Sequence, residues 1–204
     1  MVLPPAGPVT LTGSRVALSA PVEADIDRVT ELCQDPAIAE WTTVPRPYGR
    51  TDAEGFIGVV VADGWVSGRS CTWAIRRDGV DGPEALVGMV GLDAIADGQA
   101  EIGFWLAPEA RGLGLMTEAV ALVLDFAFAE PPAGLGLQRV EWHAFAGNTA
   151  SAAVARRSGF RFEGASRLGA VQRGTRRDDW QAGLLRDDPR TPADGWPAET
   201  GAER

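Results

Sequence analysis

The apolar positions of the chain switch between a two-residue and a 3.6-residue repeat, and the switches divide it into elements. Residues 11–20, L-T-G-S-R-V-A-L-S-A, predict a first strand. Pro21 then stands near the first turn of an amphipathic helix in which Ile26, Val29, Leu32 and Cys33 recur at helical spacing. D-P-A-I-A-E-W-T-T-V-P-R-P-Y-G, residues 35–49, predicts a short helix followed by an irregular aromatic and proline loop. Thr51 and Asp52 are cap-type residues for a further helix, with Phe56, Val59, Val60 and Trp65 on or near one face.

From residue 71 the two-residue period takes over. C-T-W-A-I-R-R (71–77), A-L-V-G-M-V-G-L-D-A-I (85–95) and A-E-I-G-F-W-L (100–106) are separated by the turn clusters D-G-V-D-G-P and A-D-G, which predicts an antiparallel meander. Residues 117–128 form a mostly apolar helix, broken by P-P-A-G-L-G-L. R-V-E-W-H-A-F (139–145) is a strand, and N-T-A-S-A-A-V-A-R-R-S (148–158) a helix stopped by Gly159. F-R-F-E-G and R-R-D-D-W-Q-A-G-L-L supply the last strands. A meander followed by strand–helix–strand gives an α/β chain of the α+β kind, with a mixed, largely antiparallel sheet flanked by helices. Residues 1–10 are read as a flexible start, 11–187 as a single domain, and 188–204 as a polar, proline-rich and mobile tail.

Composition narrows the classes. A chain of 204 residues, 45% apolar and 23% charged, suits one soluble domain with a sizeable core. No apolar run is long enough to span a bilayer, and the N-terminus lacks the basic and apolar regions of a signal peptide. Cys33 and Cys71 have no C-x-x-C spacing and are read as reduced, buried thiols of a cytoplasmic protein. The net charge of -9 argues against a nucleic-acid surface and suits a cationic small molecule or basic peptide. Every cationic side chain is arginine; the absence of lysine is read as the coding bias of a GC-rich genome.

The segment with the most chemistry is A-P-E-A-R-G-L-G-L-M-T-E-A, residues 107–119, set between a strand and a helix. A Walker A loop is excluded because it requires lysine. A dinucleotide fingerprint fits poorly: Thr117 stands where its third glycine should be, and the preceding strand belongs to a meander. A pyrophosphate held on successive backbone N–H groups at a helix N-terminus fits, with Gly112 and Gly114 allowing close approach and Arg111 adding charge. A plain glycine turn is the competing reading.

Downstream comes N-T-A-S-A-A-V-A-R-R-S-G-F-R-F-E-G, residues 148–164. Together the two segments resemble the GNAT superfamily of N-acetyltransferases and are most similar to its RimJ/RimL-like branch, which acetylates protein N-termini or small amines. In that family A-E-I-G-[FY]-W-L is the central strand and R-G-x-G-x-[AG]-T-E-A the acetyl-CoA pyrophosphate loop. N-x-x-S-x-x-[LV]-x-x-x-x-G-F-x-x-E-G is its second cofactor element. The likeness runs from about Leu11 to Asp187 and includes W-T-x-V-P-x-P-Y and R-D-D-W. One position departs: the family loop usually carries Gly or Ala where this chain has Met116, a side chain that either crowds the cofactor or turns into the core.

The resemblance implies acetyl-CoA as co-substrate, no metal, and a splay between the fourth and fifth strands, at 100–106 and 139–145. A pantetheine arm would then pair with strand backbone near Phe104, Trp105 and Leu106, whose N–H groups could also hold an oxyanion. Arg111, Gly112, Leu113, Gly114, Leu115, Met116 and Thr117 would carry the pyrophosphate, and Asn148 would donate to the arm or cap its own helix. Acetyl transfer needs a base to release a neutral amine. Glu101 is the first candidate and Glu163 the second, each also readable as an ordinary strand or turn residue. His143, the sole histidine, shares a strand face with Glu141 and Phe145 and is more readily a satisfied sheet residue than a base. Many relatives protonate the thiolate with a tyrosine in the helix after Asn148; the only tyrosine here is Tyr48, and Ser151, where RimL-like enzymes can use a serine, is the better acid candidate. Trp41 and Tyr48 would line the acceptor pocket together with Trp73, although core packing is the commoner fate of such a tryptophan. The acceptor would be a small-molecule amine or a peptide N-terminus, and a homodimer stays open. The alternatives are a non-catalytic acyl-CoA sensor on the same fold and a nucleotide-binding regulator.

Overall fold

The computed structural model describes residues 7–77 and 85–202. The expected turn cluster at 78–83 and the first six residues lie outside them. An eight-stranded sheet runs in the order β1-β2-β3-β4-β5-β6-β8-β7. The predicted first strand is in fact a short hairpin, β1 (Leu11–Thr12) and β2 (Ala17–Ser19), because Gly13 turns the chain and its N–H bonds back to the carbonyl of Val16. The meander follows as β3 (Cys71–Arg77), β4 (Ala85–Ala96) and β5 (Gln99–Leu106), all antiparallel. β6 (Arg139–Phe145) lies parallel to β5, and the hairpin β7 (Arg161–Gln172) and β8 (Thr175–Leu185) completes the sheet.

The helical segments are α1 (Ile26–Leu32), α2 (Pro36–Trp41), α3 (Arg50–Gly55), α4 (Ala62–Ser67), α5 (Leu115–Phe128) and α6 (Thr149–Arg157). A π-helical stretch, Phe56–Val61, joins α3 to α4. The third helix starts earlier than its polar residues suggested. Gly49 is its cap, and Asp52 reaches back to accept from the Gly49 N–H at 2.8 Å.

Parallel pairing of β5 with β6 requires a crossover, and α5 supplies it. Ile102 and Trp142, both about 1% exposed, are register partners across the two strands. α5 buries Leu115, Met116, Ala119, Val120, Val123 and Leu124. Asp25 is buried but doubly satisfied: both guanidinium nitrogens of Arg76 bond it at 2.9 and 2.8 Å, tying the start of α1 to β3.

Residues 188–202 differ from the mobile tail that their composition suggests. Trp196 is 4% exposed, stacks edge-on against Trp142 at 5.5 Å and donates its indole N–H to the carbonyl of Phe160. One aromatic anchor in a polar stretch suffices to dock it, a signal that average composition hides.

Candidate active site

The sheet opens where the central strands part. β5 and β6 pair only from Gln99↔Arg139 to Ile102↔Trp142, while β5 continues on β4 as far as Leu106 and β6 continues on β8 as far as Phe145. One edge of residues 103–106 and the facing edge of 143–145 therefore have no strand partner. A cleft of about 440 Å³ lies there, lined by Trp41, Phe104, Trp105, His143, Asn148 and Ser151 among others.

Its polar residues follow from register. Asp93, Glu101 and Glu141 stand opposite one another across β4, β5 and β6, so their side chains share one face. His143 is two residues beyond Glu141 and faces the same way. Its Nδ1 lies 2.9 Å from Oδ2 of Asp179, a residue 6% exposed, and His143 itself lines the cleft. Gln181 donates to that same carboxylate oxygen at 3.1 Å.

These neighbours set the proton affinities. Enclosure by the cleft walls raises the Glu101 pKa above the ordinary carboxylate value; the His143 charge opposes the rise, and Asp93, Asp179 and Glu141 add to it. The hydrogen bond that His143 donates to Asp179 raises the His143 pKa above the usual imidazole value, burial opposes it, and Glu101 reinforces it. Cys33 and Cys71 are free and buried, and burial pushes both thiols up to about 12, which removes them as nucleophiles.

At the far end, Asn148 caps α6 by accepting from the Ser151 N–H at 3.2 Å. That use of Oδ1 leaves its amide N–H groups for a ligand. Ser151 Oγ accepts from the Trp142 indole at 3.0 Å, which orients the hydroxyl so that its own proton can be donated.

The glycine turn is open. Gly112 and Gly114 both have positive φ, +72° and +75°, and a Cβ on Gly112 would meet nothing within 4 Å. Glu118 is the first residue of α5 whose N–H bonds back, to the Gly114 carbonyl at 3.2 Å, so the amides before it stand free of intrahelical acceptors. Met116 is 6% exposed and turned into the core, so its bulk does not crowd the turn. Arg111 is engaged elsewhere: Nε donates to the Leu106 carbonyl and Nη2 to Asp35, fastening the turn to the N-terminus of α2. Exposed amides at a helix N-terminus, with an open strand edge leading away from them, fit a long ligand with a pyrophosphate and amide groups.

Three expected residues stand apart. Trp73 is fully buried, packs edge-on to Trp65 and Phe126, and bonds the Val9 carbonyl; it is core and not pocket. Tyr48 is buried beside Cys33. Glu163 is held by both terminal nitrogens of Arg139 and is not itself among the residues that line the cleft. Conversely, sequence reasoning gave no role to Asp179, Gln172 or Arg173. Gln172 Nε2 bonds the carbonyls of Glu40 and Thr42, and the Arg173 guanidinium bonds those of Ala39, Thr42 and Val44. The tip of the β7–β8 hairpin thereby holds the 39–44 wall of the cleft. The only hint in the sequence was Q-R-G-T, whose turn places Arg173 and Gly174 at positive φ.

Residues 15–161 match the family model described as Acetyltransferase (GNAT) domain. Among curated proteins, "Putative ribosomal N-acetyltransferase YdaF" of Bacillus subtilis (strain 168) is 38% identical over 96 residues, 46% of this chain. The match spans half the length of that relative, 50%. A crystal structure of a probable acetyltransferase superposes with a TM-score of 0.74 at 27% identity, covering 87% of this chain and 97% of the other. RimL, a ribosomal L7/L12 alpha-N-protein acetyltransferase solved in complex with coenzyme A, shares the fold with a TM-score of 0.75 at 18% identity, covering 87% and 98%.

Proposed function

Because the chain belongs to the GNAT acetyltransferase domain family, we propose that it is an N-acetyltransferase that transfers an acetyl group from acetyl-CoA directly to a primary amine. The observation that carries the reading is the grouping of Glu101, His143 and Ser151 around one cleft, which opens between partly unpaired strands, one of which runs on in sequence to the glycine turn. Acetyl-CoA, when bound, supplies the activated acyl group. The amides after Arg111 would hold its pyrophosphate, and the free edges of 103–106 and 143–145 its pantetheine arm.

The chain's residues then handle protons. An alkylammonium loses its first proton to Glu101, whose raised pKa brings it nearer to that of the amine. His143, aligned by Asp179, stands on the same face to receive the second proton as the amide forms. Ser151 donates to the departing sulfur, a small task because a thiol releases its proton at about 8.5. No side chain acts as a nucleophile in this scheme.

Charge limits the acceptor. Asp93, Glu101 and Asp179 line the cleft, and among the described residues that line it there is no arginine. An ammonium is drawn in, while the three carboxylates disfavour a further one beside them. Peptide N-termini and carboxylate-free amines are therefore the acceptor class, and the relation to ribosomal-protein acetyltransferases makes a protein N-terminus the first to test. A carboxylate beside the amine should lower kcat/KM by about tenfold, the effect of one like-charge pair in a partly dry site.

Free-thiol release from acetyl-CoA, measured on peptide amides, matched amino acids and diamines, tests the proposal. Binding of CoA without turnover on any amine would favour the acyl-CoA sensor instead. Met116, the one departure from the family loop, lies in the core and lends that alternative no support.

A further inference from the structure

The turn that would hold the pyrophosphate does not stand alone. Arg15, on the β1–β2 hairpin, donates from Nη1 to the Leu113 carbonyl at 2.8 Å and from Nη2 to the Gly114 carbonyl at 3.2 Å. Its Nε bonds Glu118 Oε2 at 2.6 Å. Glu118 Oε1 in turn accepts from the N–H groups of Ser14 and Arg15, at 2.6 and 2.9 Å, and from the Ser14 hydroxyl. Two glycines permit this approach. A Cβ on Gly13 would come within 2.5 Å of the Glu118 carboxylate, and one on Gly114 would meet the Arg15 guanidinium at 3.4 Å.

A planar trans peptide points its N–H opposite to its C=O. Holding the carbonyls of Leu113 and Gly114 against Arg15 therefore turns the N–H groups of Gly114 and Leu115 to the other side of the turn. Those are the amides at the start of α5, where the helix dipole favours an anion. We infer that Arg15, locked by Glu118, is a positioning residue that aims these two amides at the cofactor pyrophosphate without touching it. The inference rests on the acetyl-CoA reading given above. Glu118 offsets the charge of Arg15, so the effect is one of orientation and not of added positive potential.

Lysine cannot replace such a fork, because one ammonium does not span two carbonyls and a carboxylate in plane. The test is calorimetric titration of wild type, Arg15→Lys, Arg15→Gln and Glu118→Gln with CoA and with pantetheine, which lacks the pyrophosphate. Arg15 is half-exposed, and thermal melts check that each variant folds. The expected result is CoA affinity reduced by about tenfold or more in all three variants, with pantetheine affinity within about twofold of wild type. In turnover, KM for acetyl-CoA rises and kcat at saturation holds. Unchanged CoA affinity in the Arg15 variants, or equal losses for CoA and pantetheine, overturns the inference and leaves the function standing. A wild-type protein that binds no CoA overturns both.

Discussion

Glu101 sits at the meeting point of several charges, and this fixes the direction of its pH response. Its pKa lies above the ordinary 4.5, and in the proposed role of base it works as the carboxylate. The acid limb of kcat/KM should therefore fall above that value. Asp93→Asn removes a negative neighbour and moves the limb to lower pH, whereas His143→Gln removes an opposing positive one and moves it higher. Glu101→Gln should lower kcat by about 10²- to 10⁴-fold, the usual size of a lost general base. For His143 the sign concerns stability as well. A folded-state pKa raised above 6.5 gives a contribution present in full below that value and lost as pH rises through the folded pKa. Asp179→Asn should lower the imidazole pKa, followed by NMR on the single histidine, and should destabilise the protein more at pH 6 than at pH 9.

Elements differ in how far the sequence disclosed them. The alternation in A-E-I-G and V-E-W-H-A put Glu101 and His143 on polar faces, and β5–β6 pairing placed those faces side by side. Period alone does not say which neighbour covers a face, so Trp73 and Tyr48 read as pocket residues although helices bury them. Asp179 is 36 residues from His143 and meets it only through β6–β8 register, which no local pattern encodes. The hairpin latch has the same origin. Arg173→Ala removes the bonds to the Ala39 and Val44 carbonyls and one of the two to Thr42, so KM for the acceptor should rise several-fold while KM for acetyl-CoA, which the proposal assigns to the glycine turn and strand edges, holds. Equal changes in both constants would argue against that division of labour.

For the molecule as a whole, the glycine turn and the segment from Asn148 to Gly164 made the family legible, because both are contiguous stretches of chain. The packing of the C-terminal segment was not, since it depends on one residue. Trp196→Ala should cost about 3–5 kcal/mol by uncovering Trp142 and Phe162. For a chain of this size, that is a fall in Tm of roughly 10 °C in differential scanning calorimetry. A change within about 2 °C would mean that the segment carries little of the fold's stability.

The short ladder between β5 and β6 also bears on how the molecule breathes. Four paired positions and the crossover helix join two half-sheets that are otherwise continuous only within themselves. A ligand arm bonded to both free edges would act as the missing rungs and couple the halves mechanically. Amide hydrogen exchange at residues 103–106 and 143–145 should then slow in CoA, even where no side chain moves. At a hundredfold excess over Kd the same coupling adds about 2.7 kcal/mol to global stability. The protein would be stiffest with its cleft filled and would loosen along this seam each time product leaves.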